Sequence, residues 1–198
     1  MNLMKQDDQD NTPPSPDRRQ LRREMVARRA ALTPASHAAH SAAIVAHLQA
    51  ALPPPGCVAF CWPIKNEPDV RAVVAAWRAA GSRIALPVVV AEATPLAFRE
   101  WAEDGELLPD RYGIPTPVNG DWLSPDLILL PLNGFDAAGY RLGYGGGFFD
   151  RTLAALHPRP LAVGVGFECN RLASIAPEAH DQRLDWLVSE AGAWRIGG

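Results

Sequence analysis

The spacing of apolar positions changes several times along the chain, and each change marks an element. Residues 1–16 are polar and carry Pro13, Pro14 and Pro16, so they read as a disordered tail ahead of one domain spanning 17–198. Asp17 is placed to cap a helix in which Leu21, Met25 and Leu32 are the inward candidates. Thr33 and Pro34 read as the cap and first residue of a second helix, running to about Leu52, where three consecutive prolines stop it. From Cys57 the period shortens. CVAFCW is a compact strand, and residues 69–80 form a helix capped by Asp69 and ended by Gly81. Arg83–Val90 and Leu127–Leu132 are apolar enough for buried strands, and Leu96–Glu100 reads as an edge strand. Residues 102–125 are loop-rich. A helix begins near Phe148, and Leu161–Gly166 and Trp186–Val188 close the set. Strands alternating with helices predict an α/β fold with a mostly parallel sheet and helices on both faces.

Composition narrows the function classes. A chain of 198 residues that is 47% hydrophobic and 21% charged builds an ordinary core. The net charge of −3 disfavours nucleic acid as a partner, because phosphate binding by counterion release favours basic surfaces. No apolar run approaches the ~20 residues of a membrane span. The opening MNLMKQDDQD lacks the apolar region of a secretory signal. Three cysteines, an odd number, read as reduced thiols in a cytoplasmic protein. His37, His40 and His47 read as solvated surface, and the six arginines between Arg18 and Arg29 as a solvated helix face. A monomer is expected.

The segment PLNGFDAAGYRLGYGGGFFDR, from Pro131 to Arg151, carries the chemistry. Four glycines, at 143, 145, 146 and 147, follow a buried strand and precede a helix. Glycine admits positive φ and lets backbone N–H groups approach a ligand. Successive N–H groups in such a turn make an anion nest, and the helix N-terminus adds partial positive charge. Phosphate is the ligand this predicts. The loop matches neither the Gly-Lys-Ser/Thr of a Walker A loop nor GxGxxG, since Phe148 occupies the sixth position. A plain strand-to-helix turn is the competing reading. Arg141 suits bidentate phosphate contact or an ion pair; Asp150 suits magnesium or simply complements the helix dipole.

These residues resemble the signature of the 5-formyltetrahydrofolate cyclo-ligase family. Other pieces follow in the family's order: Arg18-x-x-x-Arg22; Trp62-Pro63 with Glu67-Pro68-Asp69; Ala85-Leu86-Pro87-Val88 then Leu96-Ala97-Phe98; Tyr112-Gly113-Ile114-Pro115-Thr116-Pro117; and His180-Asp181 with Leu184-Asp185 and Ser189-Glu190. The resemblance runs from about residue 18 to 190. It implies a three-layer α/β/α sandwich like ribose-phosphate isomerase and CoA-transferase domains. It implies ATP and Mg2+ as cofactors and a reduced folate as substrate. Arg18 and Arg22 would hold ATP phosphates. Gly139, Tyr140, Arg141, Leu142, Gly143, Tyr144, Gly145, Gly146 and Gly147 would wrap the triphosphate. Arg141 and Arg22 would neutralise charge in the transition state, Asp150 and Asp181 would ligand magnesium, and Trp62, Glu67 and Tyr112 would contact the folate.

The implied reaction is conversion of 5-formyltetrahydrofolate and ATP to 5,10-methenyltetrahydrofolate, ADP and phosphate through a phosphorylated formyl group. Five positions depart from the family's usual residues. Phe148-Phe149 replaces Tyr-Tyr, Thr116 replaces Glu or Gln, Ser189 replaces Thr, and Trp62 stands where smaller residues or Tyr are common. An ATP-using paralogue with another small substrate, and a non-catalytic folate- or phosphate-binding module, remain the alternatives.

Overall fold

The computed structural model describes residues 17–197, so the tail expected at 1–16 lies outside the described residues. Twelve strands and four α-helices build the described chain. Helix α1 (Arg18–Ala30) starts where Asp17 accepts the Arg19 N–H at 2.8 Å, and α2 (Pro34–Ala51) where Thr33 accepts the Ser36 N–H at 3.1 Å. Both caps satisfy orphan N–H groups of a first helical turn. Strand β1 (Cys57–Phe60) leads into α3 (Arg71–Ala79) and β2 (Arg83–Val88). α3 begins two residues later than expected, with Asp69 accepting the Arg71 N–H at 3.1 Å, and Gly81 follows its end at φ +101°. Strands β3 (Ala97–Glu100), β4 (Leu107–Pro109), β5 (Pro115–Pro117), β6 (Trp122–Leu123) and β7 (Leu127–Pro131) follow. The short hairpin of β8 (Gly134–Phe135) and β9 (Arg141–Leu142) precedes α4 (Phe148–Ala155), β10 (Leu161–Val165), β11 (Trp186–Ser189) and β12 (Gly192–Arg195).

Eight strands form one sheet in the order β12-β11-β10-β7-β1-β2-β3-β6. The five central strands run parallel, β12 and β3 run antiparallel to them, and β6 pairs antiparallel with β3. The expected edge strand is therefore one place inside the edge, because β6 pairs outside β3. Alternate residues divide between two cores. Val58, Phe60, Ile84, Leu86, Leu127 and Leu129 face α2 and α3. Ala59, Ala85, Ile128 and Leu130 face the α4 side with Leu153. This is a three-layer α/β/α arrangement, with the central strands β1, β7 and β10 buried on both faces.

Chain order reverses beside β1. From β1 the chain crosses through α3 to β2 on one side; from β7 it crosses through α4 to β10 on the other. The crevice outside the carboxyl ends of β1 and β7 is thus a topological switch point, where open α/β sheets bind ligands.

Candidate active site

A cleft of about 560 Å³ opens at that switch point. Its floor is the turn after β1, its far wall the segment after β2, and its near wall the glycine loop after β7. Arg18, Arg22, Trp62, Glu67, Tyr112, Arg141, Gly143, Tyr144, Gly145, Gly146, Gly147, Asp150 and Asp181 all line it. Gly139, Tyr140 and Leu142 do not, although they sit in the same loop. Gly139 makes the β8–β9 turn at φ +87° against Ile196, and Leu142 is fully buried with Met25 and Ile175, where Tyr140 also packs. Antiparallel pairing of β8 with β9 turns these residues away, so the cradle narrows to 143–147.

The cradle fits a phosphate chain. Among the described residues, the N–H groups of Gly143 to Gly147 donate to no protein acceptor. Gly145 (φ +100°) and Gly147 (φ +63°) hold left-handed conformations. A Cβ on Gly145 would stand 3.3 Å from Arg22 Cζ, so the glycine leaves room for a guanidinium. Arg22 Nε donates to the Gly143 carbonyl at 2.9 Å. Burial, then the neighbouring Arg18 charge, push the Arg22 pKa down against the opposing pull of Glu178 and Asp181, so an anion arriving at Arg22 would be favoured. Gly147 is the N-cap of α4, which adds the helix's positive end.

The two expected metal ligands are engaged by arginines. Arg141, 4% exposed at its side chain, donates to Asp150 Oδ1 at 2.7 Å, and the Gln182 N–H reaches the same oxygen at 3.0 Å. The other end of Arg141 donates to the Gln182 carbonyl at 2.7 Å. Burial lowers the Arg141 pKa, opposed by Asp150. Asp181 takes Arg18 at 3.1 and 3.4 Å and the Glu178 N–H at 2.8 Å. Burial lifts the Asp181 pKa, but these donors outweigh it and hold the carboxyl below its usual range. The described residues contain no cluster of three metal-ligating side chains. Both protein contacts of Asp150 fall on Oδ1, so Oδ2 fits one ligand position on a magnesium ion that takes its other ligands from phosphate and water. Asp181, with both oxygens engaged, fits the role of holding Arg18.

Glu67 is 3% exposed, deep at the β1 side. Its carboxylate accepts the Ile64 N–H at 3.0 Å and the Tyr144 hydroxyl at 2.6 Å. Burial raises the Glu67 pKa, and the Tyr144 and Ile64 donors oppose it. Lys65 and Asn66, at φ +48° and +59°, put two non-glycine residues in the left-handed region directly before it. Trp62 packs edge-on to Trp101 at 5.5 Å, and Tyr112, half exposed, meets Phe148 edge-on at 5.9 Å. Both rings border the cleft, as do Phe148 and Phe149, whose lack of hydroxyls leaves that wall apolar.

Two expectations fail here. Arg29 is not on a solvated face: it is completely buried and donates to the Lys65 carbonyl at 2.9 Å, the Leu132 carbonyl at 3.4 Å and the Tyr144 hydroxyl at 2.8 Å. It lies one helical repeat from Met25, on the same inward stripe as Leu21, and that spacing was the available signal. The three histidines are half-buried, not solvated. His37 Nε2 is 2.8 Å from the Glu67 carbonyl, His47 Nδ1 is 3.0 Å from the Ser189 carbonyl, and His37 and His40 pack on Phe167. The cysteines are free, and burial pushes the Cys57 thiol up to about 11. No helix among the described residues is long and apolar enough to cross a membrane.

Comparison with known proteins bears on the family of the chain. The 5-formyltetrahydrofolate cyclo-ligase family model matches residues 14–190. Over 125 residues the chain is 34% identical to the 5-formyltetrahydrofolate cyclo-ligase of Escherichia coli (strain K12), covering 60% of this chain and 68% of that protein. It is 30% identical over 137 residues to the Mycolicibacterium smegmatis protein of the same name, covering 64% and 70%. The 5,10-methenyltetrahydrofolate synthetase structure from Aquifex aeolicus superposes with a TM-score of 0.79 at 27% identity, over 91% of this chain and 93% of that one. The Mycoplasma pneumoniae synthetase structure shares the fold, with a TM-score of 0.74 over 88% and 99% of the two chains, at 24% identity. Since the family match embraces both the arginine-bearing first helix and the glycine turn, this chain belongs to the 5-formyltetrahydrofolate cyclo-ligase family.

Proposed function

We propose that the chain catalyses the ATP- and magnesium-dependent cyclisation of 5-formyltetrahydrofolate to 5,10-methenyltetrahydrofolate, releasing ADP and phosphate. One observation carries this reading. A single cleft is lined both by a cationic, glycine-built anion cradle and by a buried carboxylate with aromatic rings. A reaction that joins a nucleotide phosphate to a flat, amide-bearing heterocycle needs those two halves facing each other.

The chemistry assigns the residues. A formamide oxygen is a poor leaving group. Its attack on the γ-phosphorus of ATP, with departure of ADP, makes an iminium phosphate. N10 of the folate then adds to the formyl carbon and loses its proton, and the C–O bond breaks to release phosphate. Placement and charge neutralisation supply most of the rate. Arg18 and Arg22 would bind phosphate oxygens beside the N–H groups of 143–147. Arg141 would hold Asp150, which would share the magnesium carried by the nucleotide; that ion supplies charge neutralisation across the phosphates. Glu67 would accept N–H groups of the pterin, with Trp62 and Tyr112 against its faces.

The test is direct. Purified protein with 5-formyltetrahydrofolate, ATP and magnesium should develop the near-ultraviolet absorbance of the methenyl product, and should not do so without ATP. Absence of the product from folded, ATP-binding protein would overturn the reading and favour another small substrate, with Thr116 and Phe148 as the residues to examine.

A further inference from the structure

Glu67 does not stand alone in the cleft. Its Oε1 accepts from the Tyr144 hydroxyl at 2.6 Å, and that hydroxyl in turn accepts from Arg29 at 2.8 Å. Arg29 also grips the turn that carries Glu67. Its Nε donates to the Lys65 carbonyl, and its own carbonyl accepts the Asn66 side-chain amide at 2.8 Å. The residues it grips are the two left-handed ones, which persist only when their surroundings over-determine them. Arg29 is completely buried, yet among the described residues its donors meet only two carbonyls and a phenol, never a carboxylate. A buried guanidinium without a directly paired anion is a poor stability device, since no opposite charge in contact offsets its desolvation. Its geometry instead ties α1, the Glu67 turn and the glycine loop to one point.

We infer that Arg29 is a positioning residue for the folate half of the reaction, acting through the Tyr144 hydroxyl to fix the Glu67 carboxylate. This rests on the proposed folate role of Glu67. Arg29 keeps the Tyr144 oxygen as an acceptor toward itself, so the single hydroxyl proton points at Glu67 Oε1. Ile64 holds Oε2 in the same way from the backbone. The carboxylate therefore presents fixed remaining lone pairs to the cleft. Tyr144 belongs to the glycine loop, but its side chain reaches the turn after β1, so the loop that would cradle phosphate also registers the folate site.

Three variants test this, each assayed for KM of both substrates and for pH dependence, with thermal melts to establish folding. Tyr144→Phe breaks the chain at its middle and keeps the ring. It should raise the KM for 5-formyltetrahydrofolate about tenfold, equivalent to one lost hydrogen bond, with the KM for ATP within about twofold. Arg29→Lys should do the same, and adding it to Tyr144→Phe should cause little further loss, because both act through one contact. The pH profile separates positioning from general loosening. The groups facing the Glu67 carboxylate are Tyr144 from the glycine loop, Arg29 behind it from α1, Lys65 from its own turn and the Cys61 thiol from the end of β1, while His37 meets its backbone carbonyl. Removing the Tyr144 donor disfavours the carboxylate, so the acid limb of kcat/KM for folate should move to higher pH. An unchanged folate KM and acid limb in Tyr144→Phe would overturn the inference even if the Arg29 variant unfolds. So would equal loss in both substrates' KM, or multiplicative loss in the double variant. Glu67→Gln is the separating control. If it binds and turns over folate normally, the folate role of Glu67 falls; if it fails while both other variants behave as wild type, only the inference about Arg29 falls.

Discussion

Arg141 and Asp150 meet at 2.7 Å with both side chains largely buried, so neither is replaceable without consequence for the other. Asp150→Asn keeps an acceptor but leaves the guanidinium without its charge partner. We expect a stability loss of about 1–3 kcal/mol, measured by denaturant unfolding, because hydrogen bonds to charged groups contribute in that range. Turnover at saturating folate should fall on the order of 100-fold through loss of charge placement at the phosphates; near-normal turnover would remove Asp150 from the magnesium site. Glu67 gives the pH prediction. Burial raises its pKa above the ordinary carboxylate value. Folate binding that needs the ionised form is then lost as pH falls through that raised pKa, and Glu67→Gln should abolish this acid limb. The same shift acts on stability with the opposite sense: the neutral form is favoured by folding, so its contribution is present at low pH and lost as pH rises through the folded pKa. At this scale the glycine loop and its flanking charges were legible because their spacing is unusual. Arg29 was not, because six arginines in one short stretch look like a wetted face, and only its phase with Leu21 and Met25 marks it as inward.

The first helix and the glycine turn form one working unit. Met25 is fully buried against Leu142 and Ile175, and this small core docks α1 beside the loop. Met25→Ala should destabilise the protein by about 2–5 kcal/mol and weaken ATP use as well, because Arg18 and Arg22 ride on the same helix. Gly145→Ala tests the turn itself. Its φ of +100° disfavours any Cβ, and that Cβ would press on Arg22 at 3.3 Å. The KM for ATP should rise severalfold with the folate KM nearly unchanged; equal change in both would mean the cradle is not where phosphate binds. The helix starts were readable from Asp17, Thr33 and Pro34, since caps are local chemistry. The β4–β5 hairpin and the final strand β12 were not. Pro109, Pro115 and Pro117 disguise the hairpin as loop, and β12 is a four-residue antiparallel edge joined to β11 by the tight turn at Glu190–Ala191.

Across the whole molecule, the buried strands and their alternation with helices predicted three layers, and the sheet has them. The strand order, which makes the switch point, depends on long-range pairing that no local pattern encodes. It places the β1 turn and the β7 loop side by side although about seventy residues separate them. Central packing leaves little slack: a Cβ on Gly164, in β10, would stand 2.5 Å from Leu184 and 3.0 Å from Leu132. Gly164→Ala should cost about 1–3 kcal/mol and lower Tm by roughly 2–4 °C per kcal/mol, with catalytic constants of the folded fraction unchanged. In the proposed reaction one cleft would bring the γ-phosphate to the formyl oxygen. The most direct measurement uses 5-formyltetrahydrofolate carrying ¹⁸O in its formyl group, with mass analysis of the phosphate released on cyclisation. One labelled oxygen is expected in each phosphate, because the formyl oxygen would attack phosphorus and its bond to carbon would be the one that breaks. Unlabelled phosphate with the label appearing in water would contradict it.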